Sequence, residues 1–176
     1  MIIIDNFLEG SLLEEIRQDH LWNGNLSSKW IDKNSPAVDT YTKVGNYIWY
    51  DKIVADYYHV GYEYWTQVIS NRSLDRHYDK DEYLYETQKI IKNPIVGSIY
   101  YAHEDPIPGE EEPVIGGYLE ILDSRGEIER IKPVSNRLII FDTKLLHGVT
   151  EATGTTRRSL LTNIWETKPL DGNFLY

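Results

Sequence analysis

The pattern of hydrophobic and polar residues changes near Ser70, and the change predicts helices first and strands afterwards. The apolar run Met1–Asp5 predicts a strand, and Ser11-Leu-Leu-Glu14 is a capping-box pattern that predicts a helix through about Asp19. Between Asp51 and Ile69, apolar and aromatic residues recur with a period of about 3.6 residues, as on one face of a helix. This second pattern predicts a long helix whose wide stripe packs into the core.

After Ser70, short runs of β-type residues alternate with turn residues. A further helix is predicted over Glu82 to Ile91. The predicted strands cover residues 72–79, 95–101, 115–122, 127–132, 137–142 and 156–166. This order predicts an α+β, mainly β chain, in which N-terminal helices brace a curved sheet, sandwich or barrel. Because no internal repeat or linker-like tract interrupts the chain, residues 1–176 are predicted to form a single domain.

Composition narrows the possible chemistry. The 176 residues carry a formal net charge of −10, which argues against nucleic acid as the main partner because phosphate binding needs a cationic surface. The absence of cysteine excludes disulfides, thiolate nucleophiles and thiolate metal sites, so a bound metal must take nitrogen and oxygen ligands. No apolar stretch is long enough to span a bilayer, and we expect no membrane partner and a cytoplasmic location.

His77, Asp79 and His147 are the candidate metal ligands. Residues two apart on a strand point to the same face, so His77-Tyr-Asp79 is expected to aim an imidazole and a carboxylate in one direction. His147 follows the strongly apolar run Arg137–Phe141 and is the candidate for a third ligand. Two histidines and one carboxylate suit iron(II) and leave coordination positions open. Taken singly, each histidine also fits an exposed surface side chain.

Arg157 is the candidate for binding a carboxylate. It lies ten residues after His147 and opens the predicted strand that ends at Trp165. A guanidinium can hold a carboxylate through two parallel hydrogen bonds, so a buried arginine near a metal suits the far carboxylate of 2-oxoglutarate. Ser159 lies on the same strand face and can add a hydroxyl, whereas Arg158 lies on the opposite face and fits a surface arginine better.

Six short segments stand in a characteristic order between His77 and Trp165. They are His77-Tyr-Asp79, Ile99-Tyr-Tyr-Ala102, Gly116-Gly-Tyr-Leu-Glu-Ile121, Asn136-Arg-Leu-Ile-Ile-Phe141, His147-Gly-Val149 and Thr156-Arg157-Arg-Ser159. In this order they resemble the iron(II)/2-oxoglutarate-dependent oxygenase superfamily, in its prolyl-hydroxylase-like branch. The resemblance covers about half of the chain.

The resemblance implies a double-stranded β-helix, a jelly-roll or cupin-like barrel. It implies that His77, Asp79 and His147 bind Fe(II), that Arg157 binds the 2-oxoglutarate carboxylate, and that Tyr101 hydrogen-bonds the same carboxylate. The implied reaction uses O2 to hydroxylate a C–H bond, with release of succinate and CO2, and ascorbate is an expected stimulant. A peptidyl proline is the leading substrate, and a free amino acid or small metabolite is the alternative.

Two other classes of protein stay open from the residues alone. One is a cupin-like barrel that uses the same triad without 2-oxoglutarate, with His59 or His103 as further imidazoles. The other is a non-catalytic binding module that keeps the barrel. Arg157 favours the oxygenase, because the other two classes need no buried arginine there. The segments 80–95 and 104–113 are predicted to be an acidic helix and an exposed loop, with a lid and a substrate-recognition finger as the respective alternatives.

Overall fold

The computed structural model describes residues 1–53, 58–104, 109 and 112–170. The α-helices in these ranges are α1 (Gly10–Ile16), α2 (Thr40–Asn46) and α3 (Glu82–Gln88). A 3₁₀ turn covers Asp19–Trp22 and a π-helical turn covers Tyr47–Lys52. The strands are β1 (Ile2–Ile4), β2 (Lys29–Asp32), β3 (Gly61–Ile69), β4 (Arg72–His77), β5 (Val96–Tyr101), β6 (Val114–Gly116), β7 (Leu119–Leu122), β8 (Ile128–Ile131), β9 (Arg137–Phe141), β10 (His147–Gly154) and β11 (Arg157–Trp165).

The strands form two antiparallel sheets. The larger sheet has the order β1-β9-β5-β11-β3-β2, and the smaller sheet has the order β4-β10-β7-β8 with β6 paired to β10. From β3 to β11 the chain passes back and forth between the sheets, with β3, β5, β9 and β11 in the larger sheet and β4, β6–β8 and β10 in the smaller one, which is the winding of a double-stranded β-helix. The predicted mainly β fold, with helices bracing a barrel of this kind, is confirmed.

The central strands of the larger sheet, β5, β9, β11 and most of β3, are buried on both faces. On β11, Leu160 and Ile164 pack into a core shared with α1, α2 and Trp49, whereas Leu161 faces a second core between the two sheets. The alternation of the strand therefore sends neighbouring residues into different cores. The helices cover one face of the larger sheet, and the other face lines the interior of the barrel.

The predicted helix over Asp51 to Ile69 is wrong. Residues Gly61–Ile69 form β3, in the interior of the larger sheet, and residues 54–57 lie outside the described residues. Because β3 is buried on both faces, its apolar residues do not alternate with polar ones, and the run can be fitted to a helical period as well. Gly61 needs to be glycine, since a Cβ there would collide with the carbonyl oxygen of Ile31 on β2.

Several predicted boundaries also need correction. The capping box at Ser11 is not formed: α1 begins at Gly10 after Glu9, without a side-chain cap, and the capping box in this region belongs to Asp39 at the start of α2. The predicted strand 115–122 is divided into β6 and β7, because Gly116 and Gly117 have φ angles of +76° and +63°. Strands β2 and β10 were not predicted. No helix in the described ranges has the length and apolarity required to cross a membrane.

Candidate metal centre and cosubstrate pocket

The structure brings the three predicted ligands together at one end of the barrel. His77 ends β4 and His147 begins β10, and these two residues are direct cross-strand partners. Asp79 lies two residues beyond the end of β4. The antiparallel pairing of β4 with β10 therefore brings together two histidines that are 70 positions apart in the sequence.

Strand parity, which we used to group His77 with Asp79, is not the reason for their proximity. The strand ends at His77, so Asp79 is placed by the segment that follows. Within the strand, the pairing steps from His77 to Leu74 while β10 steps only from His147 to Val149, which indicates a β-bulge in β4. Leu74 therefore lines the same cavity as His77, although the two are three residues apart.

The ligand atoms are arranged to hold one ion. The Nε2 atoms of His77 and His147 each lie 3.5 Å from Oδ1 of Asp79. One ligand atom from each of the three residues lies within 4.8 Å of the other two, and in the described part of the chain this is the one such group of three. Two imidazole nitrogens and a carboxylate oxygen form the donor set that suits iron(II).

Backbone carbonyls set the protonation of both imidazoles. Nδ1 of His77 lies 2.9 Å from the carbonyl oxygen of Asp75, and Nδ1 of His147 lies 2.9 Å from that of Leu145. Because a carbonyl oxygen can only accept, each Nδ1 carries the hydrogen in these contacts. In its neutral form each ring then presents the Nε2 lone pair to the centre, as a metal ligand must.

The charges in the centre favour an ionised carboxylate. Burial alone would raise the pKa of Asp79, but hydrogen bonds and charge from His147 and His77 outweigh it and lower the pKa well below its usual range. Burial tends to lower the pKa of His77, and contact with Asp79 reverses this, leaving the pKa raised. The centre thus keeps an anionic oxygen available for a cation.

Asn163 and Glu63 extend the centre beyond the predicted residues. Asn163 Nδ2 donates to Oδ2 of Asp79 at 3.0 Å, and it lies 3.4 Å from Oε1 of Glu63. The motifs in the sequence predict no role for either residue. Asn163 shares a strand face with Arg157, so strand parity could have indicated it. Glu63 could not be placed near the ligands from sequence, because the pattern around it predicts a helix where the structure has β3.

Arg157 is fully buried at the start of β11. Nη1 donates to Ser159 Oγ at 3.2 Å, Nη2 lies 3.4 Å from the hydroxyl of Tyr101, and the guanidinium carbon lies 4.8 Å from the centre of the Tyr101 ring. Nε is buried without a hydrogen-bond partner. Within the described ranges, no acidic side chain forms an ion pair with it, although a buried cation without a counterion is costly. The arrangement can therefore accept an anion.

The neighbouring arginine, predicted to be a surface residue, is only 14% exposed but has an acidic partner. Arg158 lies on the opposite face of β11, and its Nη1 forms a 2.7 Å ion pair with the exposed Asp19. The two adjacent arginines consequently differ in what they can bind. Arg158 already has a carboxylate partner, whereas Arg157 has only neutral hydroxyl and aromatic neighbours.

Gly117 makes room for the buried arginine. A Cβ built on Gly117 would lie 3.0 Å from Cδ of Arg157, and the positive φ of this residue already favours glycine. The Arg157 side chain therefore packs directly against the backbone of Gly117.

A cavity of about 200 Å³ lies between the two sheets, and all three candidate metal ligands line it. Apolar side chains form most of its wall, including Ile99 and Leu161. Gln67 also lines the cavity, and its backbone carbonyl accepts a hydrogen bond from Ser159 Oγ at 3.3 Å, which links the wall to the Arg157 cluster. The space is therefore mostly apolar, with polar side chains at the metal ligands and at Gln67, and Arg157 lies behind this wall rather than in it.

Comparison with known families gives one match. Residues 64–165, more than half of the chain, match the family model described as the 2OG-Fe(II) oxygenase superfamily. No curated protein matches the sequence significantly. The matched range begins in β3 and ends with β11, so it includes both sheets, the three ligands and Arg157.

Solved structures of prolyl hydroxylases share the fold. A prolyl-4-hydroxylase from Pseudomonas putida has a TM-score of 0.63 at 19% identity, covering 95% of this chain and 92% of that one. A Trichoplax adhaerens prolyl hydroxylase, in complex with a hypoxia inducible factor peptide fragment, has a TM-score of 0.60 at 14% identity, covering 94% and 83%. The viral collagen prolyl hydroxylase of Paramecium bursaria Chlorella virus-1, in a 2OG complex, has a TM-score of 0.53 at 18% identity, covering 95% and 96%. At these identities the likeness concerns the fold.

Proposed function

Because the chain belongs to the 2OG-Fe(II) oxygenase superfamily, we propose that it is an Fe(II)- and 2-oxoglutarate-dependent dioxygenase that hydroxylates a C–H bond. The main support for this proposal is that one barrel holds both a His-Asp-His cluster and a buried arginine that has no counterion in the described ranges. The first can bind a divalent metal and the second an organic carboxylate. A dicarboxylic keto acid that chelates iron needs both.

The metal role is assigned to His77, Asp79 and His147. Iron(II) bound there supplies the oxygen chemistry of the reaction, in which 2-oxoglutarate is converted to succinate and CO2. The protein contributes the position of the ligands: two neutral imidazoles held by backbone carbonyls, and one carboxylate whose pKa is held low. The apolar wall around the centre limits access of bulk water to the reacting groups.

The cosubstrate role is assigned to Arg157, Tyr101 and Ser159. The Arg157 guanidinium offers hydrogen-bond donors to a carboxylate, and the hydroxyls of Tyr101 and Ser159 lie within 3.4 Å and 3.2 Å of it. Arg158 and Arg17 each have an acidic partner, whereas Arg157 has none within the described ranges, so a bound carboxylate would supply its counterion. This difference supports the oxygenase over a cupin-like protein that works without 2-oxoglutarate.

A peptidyl proline is the proposed substrate. Two of the similar structures are named for prolyl hydroxylation of collagen or were solved with a peptide of hypoxia inducible factor, and they share the barrel with this chain. A free amino acid or small metabolite is the second candidate, since the cavity itself is only about 200 Å³. Stimulation by ascorbate is part of the proposal and is measured by adding it to the turnover assay.

The proposal is tested by anaerobic titration of the protein with Fe(II) and then 2-oxoglutarate. A visible charge-transfer band is expected when both are bound, followed by succinate release when oxygen is admitted. Proline-containing peptides and free amino acids are then screened for turnover and for a mass gain of one oxygen atom. A folded protein that binds no Fe(II) would refute the enzyme assignment, and Fe(II) binding without succinate formation would favour the cupin-like alternative.

Arg157→Ala tests the cosubstrate role separately, with Arg158→Ala as the matched control. Loss of a charge-assisted hydrogen bond to a carboxylate costs about 1.5–3 kcal/mol, so 2-oxoglutarate should bind about ten- to a hundredfold more weakly to Arg157→Ala. Fe(II) affinity should stay unchanged, and Arg158→Ala should bind 2-oxoglutarate like the natural protein. A larger loss in Arg158→Ala would show that the wrong arginine has been assigned.

A further inference from the structure

The two carboxylate oxygens of Asp79 have different surroundings. Oδ1 lies 3.5 Å from Nε2 of both histidines, whereas Oδ2 accepts a 3.0 Å hydrogen bond from Asn163 Nδ2. Only Oδ1 is thus directed at the point where the imidazoles converge. The difference depends on one amide group, which comes from β11 in the other sheet.

The Asn163 side chain is itself held in place. It is buried to 2% exposure, and its Nδ2 lies between two acceptors, Oδ2 of Asp79 and Oε1 of Glu63. An amide oxygen in that position would face two carboxylates, so the orientation with nitrogen inward is the favourable one. A Cβ on the neighbouring Gly97 would collide with Asn163 Oδ1, which shows that β5 leaves space for this amide.

Glu63 is anchored in turn from outside the centre. Its Oε1 accepts from Trp165 Nε1 at 3.0 Å, and its Oε2 accepts from Ser28 Oγ at 3.0 Å. Asp79, Asn163 and Glu63 therefore form a continuous polar chain from the ligand cluster into the larger sheet. Neighbours of this kind fix the direction of a metal-ligating carboxylate.

We propose that Asn163 is a positioning residue for the metal centre, because its amide occupies Oδ2 of Asp79 and leaves Oδ1 as the single oxygen for the metal. This inference rests on the proposed function, since it assumes that Asp79 is a metal ligand. A carboxylate that offered both oxygens would fill one more coordination position, at the expense of the sites that cosubstrate and oxygen require. In this role Asn163 acts through Asp79 and is not itself a metal ligand.

The test measures Co(II) binding without 2-oxoglutarate and without turnover. Asn163→Leu keeps the approximate size of the side chain and removes the hydrogen bond, and Asn163→Ala is the second variant should the larger side chain prevent folding. Removing a hydrogen-bond partner of a metal ligand typically weakens metal affinity about 10–100-fold, and we expect that loss in either variant. The visible absorption spectrum of bound Co(II) should also change in shape and intensity, because Asp79 becomes free to offer both oxygens.

Thr162→Val is the matched control. Thr162 is the preceding residue of β11 and equally buried, and its side chain points to the opposite strand face from Asn163, where its Oγ1 accepts from Trp49 Nε1 at 2.7 Å and lies 2.7 Å from Ser98 Oγ. It should lower the stability of the fold while leaving Co(II) affinity and spectrum unchanged. A folded Asn163 variant with natural Co(II) affinity and spectrum would overturn the inference. Absence of Co(II) and Fe(II) binding by the natural protein would instead refute the proposed function on which it rests.

Discussion

Glu63→Gln should make the stability of the metal-free protein less dependent on pH. Burial raises the pKa of Glu63 from 4.5 to about 7, assisted by the nearby charge of Asp79 and opposed by hydrogen bonds from Ser28, Trp165 and Asn163. The folded protein therefore holds this proton up to about pH 7, whereas the unfolded chain releases it near pH 4.5. Between these values the folded state binds more protons, so stability falls as pH rises.

The size of the effect follows from the two pKa values. The interval between 4.5 and about 7 corresponds to an upper bound of about 3.5 kcal/mol, at about 1.4 kcal/mol for each pH unit. Glutamine keeps a carbonyl oxygen for Trp165 Nε1 and does not titrate. The difference in unfolding free energy, Glu63→Gln minus natural protein, should thus increase by up to about 3 kcal/mol from pH 4.5 to pH 8.

Urea denaturation with a chelator present measures this difference at several pH values. Glu14→Gln, at an exposed position on α1, controls for the loss of one negative charge. The prediction is contradicted if the difference in unfolding free energy between Glu63→Gln and the natural protein stays constant from pH 4.5 to pH 8. A change with the opposite sign would contradict it as well. A change of equal size in Glu14→Gln would assign the effect to net charge rather than to the buried carboxyl group.

Two further substitutions test the parts of the fold that support the site. Asn136→Ala should lower stability by about 2–4 kcal/mol in urea denaturation, because Asn136 Oδ1 accepts from Leu8 N at 3.0 Å and from the Tyr100 hydroxyl at 2.9 Å in a buried position with φ of +57°. A loss below about 1 kcal/mol would contradict this. Gly117→Ala should weaken 2-oxoglutarate binding about tenfold, a loss of about 1.4 kcal/mol, by displacing the Arg157 side chain while leaving Fe(II) affinity unchanged.

The control for Gly117→Ala is Gly126→Ala. Gly126 has a similarly positive φ of +84°, but a Cβ there would have no neighbour within 4 Å. Both variants should therefore lose stability from backbone strain, and only Gly117→Ala should lose cosubstrate affinity. Equal 2-oxoglutarate affinities in the two variants would show that Gly117 does not shape the arginine site.

Local pattern was sufficient for most of the second half of the chain. Strands β5, β8, β9 and β11 lie close to their predicted ranges because each is a short run of β-type residues bounded by turn residues. The pattern failed at β3, where both faces are buried and no alternation marks the strand. It also failed at β4, where a bulge changes which residues face the cavity, since a bulge depends on the partner strand and leaves no trace in one strand's own sequence.

The sequence by itself determined which residue types could do the chemistry: without cysteine, a metal needs imidazole and carboxylate ligands, and His77, Asp79, His147 and Arg157 were recognisable from their order. Tertiary structure alone decided that the two histidines are cross-strand partners, that Arg157 is buried without a paired acid in the described ranges, and that Asn163 holds the second oxygen of Asp79. The physical reason is that hydrogen bonds and burial act over a few ångströms between segments far apart in the chain, and only sheet pairing brings those segments together.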